Sequence, residues 1–100
     1  MYEKGDGGMS GWQDAYRDLD LMGGRITFLL EDGEDMIDIR YEDGMVIDAG
    51  YLEHWRCYCV TVLAGDTLQD WQKPIEEATV EQRADLAAVL QEMIRKYRGK

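Results

Sequence analysis

From residue 25 to residue 63 the chain alternates apolar and polar positions with a period of two, the signature of half-buried strands. In 25–30, Ile26, Phe28 and Leu30 share one face. In 35–41, Ile37, Ile39 and Tyr41 face one way and Met36, Asp38 and Arg40 the other. In 45–51, Met45, Ile47, Ala49 and Tyr51 oppose Val46, Asp48 and Gly50. The stretch 55–63, WRCYCVTVL, is apolar on both faces and rich in aromatic and β-branched residues, as a strand covered on both sides would be. Short connections join these segments, which predicts four strands in an antiparallel meander.

After Gly65 the period is lost. Residues 66–78 read as an irregular connection fixed by Pro74, with Leu68, Trp71 and Ile75 turned to the core. Thr79-Val-Glu-Gln82 then fits a capping box, in which the Thr side chain accepts from the third helical amide and the Gln reaches back. The predicted helix runs to about Tyr97, with Leu86, Leu90, Met93 and Tyr97 as its apolar stripe. Arg95, Lys96 and Arg98 at its end complement the helix dipole. The fold class that follows is α+β: a sheet with the C-terminal amphipathic helix packed on one face. Residues 25–100 form the predicted domain. Residues 1–24 are broken by glycines and read as a flexible N-terminal segment. Within it, Trp12, Tyr16 and Leu19 are spaced for a short helix that Ser10 caps. The first nine residues read as mobile, and the segment is left to cover the second sheet face or an edge.

Composition sets limits on partners. At 100 residues and 45% hydrophobic content, the chain has material for one core and buries about two-thirds of its unfolded surface. No apolar run reaches the roughly 18 residues of a membrane span. The first residues lack the basic flank and apolar stretch of a signal peptide, so the cytoplasm is the expected compartment. The net charge is −10, and the C-terminal cations leave the remaining chain more negative still. Such a charge repels nucleic acid phosphates and anionic membranes and attracts basic protein surfaces. Cys57 and Cys59, two apart on a strand, lie about 6.5 to 7 Å apart on one face. That is too far for a disulfide, so they read as buried free thiols.

The densest chemical feature is EDGEDMIDIRYEDG, residues 31–44. Its two Glu-Asp-Gly triplets sit between strands, where hairpins want Gly at a left-handed position. Pairing Phe28 with Ile37 leaves a four-residue loop over 31–34, and pairing Tyr41 with Met45 leaves a three-residue loop over 42–44. Turn chemistry does not account for Glu34, Asp35, Asp38 and Asp48, which cluster near one loop and on one strand face. The stretch does not fit an EF-hand, because its Gly stands third and it lies between strands. Solvated turn carboxylates also lack the burial that glycosidase-type acids need. His54, Cys57 and Cys59 form an HxxCxC run, but no fourth ligand is available and His54 and Cys57 point to opposite faces. The same geometry argues against a Cys57 nucleophile with His54 as its base. No GxSxG, P-loop or GxGxxG element occurs. The expectation is a non-enzymatic chain with no cofactor and no metal.

In size, charge and make-up the chain resembles the small acidic inhibitors of bacteria and their phages: immunity proteins against nuclease toxins, anti-CRISPR proteins and other DNA mimics. The resemblance is one of character, without a shared motif. It implies a protein partner with a basic, nucleic-acid-binding surface, which the chain occupies as an inhibitor. Glu31, Asp32, Glu34, Asp35, Asp38, Glu42, Asp43 and Asp48 are the candidate stand-ins for phosphates, and Trp12 or Trp71 the candidate apolar anchor. The alternative is a structural or regulatory subunit, such as a homodimer, held by mainly hydrophobic contacts.

Overall fold

The computed structural model describes residues 12–31 and 35–99, Trp12 by its backbone alone. Helix α1 (Trp12–Arg17) precedes strands β1 (Arg25–Leu29), β2 (Ile37–Arg40), β3 (Val46–Leu52) and β4 (Cys57–Leu63). Helix α2 (Leu68–Gln72), strand β5 (Glu76–Val80), a single 3₁₀ turn (Arg83–Asp85) and helix α3 (Leu86–Arg98) complete the order. The strands form one antiparallel sheet in sequence order, β1-β2-β3-β4-β5. The α+β class and the meander stand, with five strands in place of the four predicted.

The fifth strand lies where the connection and the capping box were expected. Thr79 pairs with Cys59 and Val80 with Tyr58, so Thr79 is an extended residue and caps no helix. The helix starts later, at Leu86. A capping box does form at Thr67: its Oγ1 accepts from Asp70 N at 3.1 Å, and Thr67 N donates to Asp70 Oδ2 at 3.1 Å. The segment it caps does not pin the connection to the core, since Leu68 is 76% exposed and Trp71 and Ile75 also stand out into solvent.

The period-two pattern lays down two distinct faces. Ile37, Ile39, Ile47, Ala49, Val60, Val62 and Val80 point inward and pack with Leu86, Leu90, Met93 and Ile94 of α3. Met36, placed on the outer face by the alternation, belongs to this core. In β1 the register slips between Ile26 and Phe28, a bulge that adds one residue to the strand. Ile26 and Leu29 therefore back the core, while Phe28 stands opposite Asp38 on the outer face. The expected pairing of Phe28 with Ile37 is replaced by Leu29 with Ile37. The second turn is as the sequence indicates: Tyr41 N donates to Met45 O at 3.0 Å, Gly44 N donates to Tyr41 O at 3.0 Å, and Gly44 adopts φ +100°.

The described part of the N-terminal segment joins the inner layer, while on the outer face Val46 and Leu63 are fully buried and Asp48, Cys57, Cys59 and Thr61 are each less than a tenth exposed. Tyr16 is buried in the core cluster, and Leu19, Leu21 and Met22 pack against it. Tyr41 Oη donates to Leu21 O at 2.8 Å, and Gln91 of α3 exchanges hydrogen bonds with the backbone of Asp20. A Cβ on Gly24 would meet the Tyr41 ring at 2.6 Å, so only glycine permits this approach. The predicted cap at Ser10 and the mobility of the first nine residues lie outside the described residues.

Candidate functional site

The outer face of the sheet carries a row of polar side chains across four strands. Asp38 of β2 stands opposite Asp48 of β3, Asp48 opposite Thr61 of β4, and Thr61 opposite Glu77 of β5. Two carboxylates directly opposite each other repel, which normally disfavours the pairing. Arg40, two residues from Asp38 and so on the same face, offsets part of this. Its Nε and Nη2 both donate to Asp38 Oδ2, at 3.2 and 3.0 Å, and its Nη1 donates to Asp66 Oδ2 at 2.7 Å. The hydrogen bonds of the arginine thus go to Asp38 and Asp66, and Asp48 feels only its charge. No group among the described residues donates to buried Asp38 Oδ1.

Asp48 is the more unusual member. It is 9% exposed, and among the described residues its carboxyl has no hydrogen bond or ion pair. Burial, reinforced by the charges of Asp38 and Asp35, pushes its pKa up to about 7 against an ordinary 3.8. Desolvation disfavours the charged form and like charges add to it, so Asp48 holds its proton well above the ordinary carboxylate range. Asp66 moves the other way, held low by its hydrogen bonds from Arg40 and from Trp71.

Helix α2 sets one wall of the site. Trp71 Nε1 donates to Asp66 Oδ1 at 3.0 Å, so the chain Asp38–Arg40–Asp66–Trp71 ties the indole to the sheet. Trp71, 42% exposed, lines a groove of about 270 Å³ with Asp35, Asp48, Cys59, Thr61 and Glu77. A wider groove of about 660 Å³ continues past Leu52, Cys59 and Glu77 to Trp55 and Gln82. Trp55 is 71% exposed and lies in the β3–β4 connection, outside the strand predicted to contain it. The face is therefore acidic at its centre, and its rim combines Leu52 and Trp55 with Arg56 and Glu81.

Of the carboxylates singled out from the sequence, Asp35, Asp38 and Asp48 meet here. Glu42 and Asp43 do not. They occupy the β2–β3 turn at the other end of β2 from Asp35, and Asp43 is engaged by Arg98 Nη1 at 2.8 Å and by Met45 N at 3.2 Å. Glu31 is exposed, and its carbonyl accepts from Arg83 Nη2 at 2.6 Å. Asp32, Glu34 and the Trp12 side chain lie outside the described residues. Sequence reasoning missed Glu77, Asp66 and Trp55 as members of the face. Glu77 was legible in principle, because Glu76-Glu-Ala-Thr-Val80 alternates with period two once read as a strand.

Cys57 and Cys59 are free and buried, both on this outer face. Burial raises the Cys59 thiol, which keeps it protonated and unreactive at neutral pH. His54 lies in the turn before β4, its ring edge-on to Trp55 at 5.1 Å. Among the described residues no three His, Cys, Asp or Glu side chains converge as metal ligands would. No protein-family model matches the chain, and no curated protein or solved structure is significantly similar to it.

Proposed function

We propose that this chain is a small acidic protein-binding module that docks the outer face of its sheet onto a basic surface of a partner protein. The observation that carries the reading is the acidic groove of the outer face, where Asp35, Asp48 and Glu77 gather next to Asp38 and beside exposed Trp71 and Trp55. Acidic groups on a chain of net charge −10 accelerate encounter with a basic surface. Exposed aromatic side chains slow the departure. The surface fitting this description is one that otherwise holds nucleic acid, and the role is that of an inhibitor, such as an immunity or anti-CRISPR protein of a bacterium or phage. The proposed module is non-enzymatic, works in the cytoplasm, and binds neither nucleic acid nor membrane directly.

The apolar side chains of the rim favour a second reading, a homodimeric or regulatory subunit held by hydrophobic contacts through Leu52, Trp55 and Trp71. Salt separates the two, since screening weakens electrostatic capture and leaves apolar contact largely intact. The test is capture from the native cell extract at about 50 and 500 mM salt, followed by competition with DNA or RNA. The expected result is a nucleic-acid-binding protein that is retained at low salt, released at high salt and displaced by nucleic acid. Asp35→Lys combined with Glu77→Lys should abolish the capture while leaving the circular dichroism spectrum unchanged. A bound species indifferent to salt, to nucleic acid and to this reversal would sink the proposal and favour the hydrophobic subunit.

A further inference from the structure

The groove between Asp48, Glu77 and Trp71 contains a carboxyl to which no described residue donates. Asp48 is nine-tenths buried, lines the groove and has no partner among the described residues. Asp38 Oδ1, on the adjacent strand, is buried and likewise receives no donor among the described residues. A buried carboxylate without a donor is costly, and the cost falls when a cation arrives with hydrogen bonds to give. Arg40 gives Asp48 no hydrogen bond: its Nε, Nη1 and Nη2 turn to Asp38 Oδ2 and Asp66 Oδ2, and only its charge reaches Asp48.

We infer that this groove receives one arginine side chain of the partner protein, its guanidinium seated among Asp48, Glu77 and Trp71. The inference rests on the docking reading above and names the residue type that reading requires. A guanidinium suits the site better than an ammonium on three counts. Its fork spans separate acceptors, it stacks on an aromatic wall such as Trp71, and its weaker hydration lowers the cost of burial. The wider groove beyond Leu52 gives the chain carrying the arginine a path off the sheet.

Occupation requires Asp48 to ionise, so binding releases a proton. The other groups facing it are Asp35, Asp38 and Arg40 on the β2 side, Cys59 on β4, Asp66 before α2 and Glu77 on β5. Among these, Asp48 is the carboxyl pushed up to about 7, while Cys59 is raised and stays a thiol. With arginine charged throughout, affinity should rise with pH through 7, by about tenfold between pH 6 and pH 8.

The probe is the blocked tripeptide acetyl-Gly-Arg-Gly-amide, titrated into the purified full-length chain and followed by amide and indole NMR shifts. Shifts at Gly50, Thr61, Glu77 and the Trp71 indole are expected, with that pH profile. Asp48→Asn should weaken binding at least about tenfold at pH 8 and flatten the profile, whereas Asp43→Asn, at the far turn, should do neither. The isosteric citrulline peptide should not bind, and the lysine peptide should bind more weakly. Absence of shifts, a lysine peptide that binds as well as arginine, or unchanged affinity in Asp48→Asn would each overturn the inference. Because the peptide is added to the chain alone, this outcome is independent of the partner. If the peptide fails while salt-sensitive capture persists, the groove proposal falls and the docking reading stands. If the peptide binds with its pH profile while capture proves insensitive to salt, the groove stands and the wider reading falls.

Discussion

Asp48 concentrates the cost of burying a carboxyl in a single side chain. In the unfolded chain it titrates near 3.8, and in the folded chain at about 7. Below pH 3.8 both states hold the proton and the site costs nothing. As pH rises from there to 7 the unfolded state ionises first, so the contribution of this group to stability falls, and above 7 the loss is constant. Asp43, Asp66 and Glu76 run the opposite way, since their ion-pair partners hold them low. Their stabilising effect is present above the ordinary carboxylate values and is lost as pH falls from there through the depressed folded values, at the acid end of the Asp48 window. Asp48→Asn keeps the shape and removes the charge. It should stabilise the protein more at pH 8 than at pH 5, by roughly 1 to 3 kcal/mol after allowing for residual solvent screening. Urea denaturation at the two pH values measures this, and equal effects at both would show that the Asp48 carboxyl titrates normally. That Asp38 and Asp48 share a face was legible from the period-two spacing. The burial of Asp48 was not, because it depends on what β4, β5 and α2 place around it.

At the scale of elements, what the sequence revealed depended on whether a local signal agreed with the tertiary one. Strands β2 and β3 and the turn at Gly44 were readable because alternation, β-branched residues and a glycine at positive φ all coincide there. The β1 bulge was invisible, since one extra residue shifts the phase without altering composition. Strand β5 was hidden by two adjacent glutamates and a coincidental Thr-x-x-Gln spacing. Its pairing with β4 and the packing of Val80 on α3 outweigh that local preference, and Glu76 fastens the strand to the helix through Lys96 Nζ at 2.7 Å and the Tyr97 hydroxyl. The working cap is at Thr67, in the helix that carries Trp71. Thr67→Ala should therefore loosen α2, by about 1 kcal/mol locally, and speed hydrogen exchange at the Trp71 indole. Thr79→Ala should leave amide protection in the first turn of α3 unchanged. The reverse pattern would restore the capping box to Thr79.

For the whole molecule, charge is sorted between the two layers. The helix layer ends in Arg95, Lys96 and Arg98, and two of these cations are already committed, Lys96 to Glu76 and Arg98 to Asp43. The sheet's outer face gathers Asp35, Asp48 and Glu77 around one groove, and among the described residues none of the three has an ion-pair partner. A net charge of −10 makes the compact state repel itself, and added salt relieves this by shrinking the Debye length from about 30 Å at 0.01 M to about 8 Å at 0.15 M. The melting temperature should therefore rise over that range, most steeply at pH 8, where Asp48 is ionised. Docking on a basic surface has the opposite dependence, because the same screening removes the attraction that speeds encounter. A fold that strengthens while complex formation slows, in one salt series on one sample, is the outcome expected if the outer face acts by charge. Thermal denaturation read beside association kinetics measures both slopes. If the two quantities rose together, the apolar side chains of Leu52, Trp55 and Trp71 would have to carry the interface, and the carboxylates would serve solubility alone.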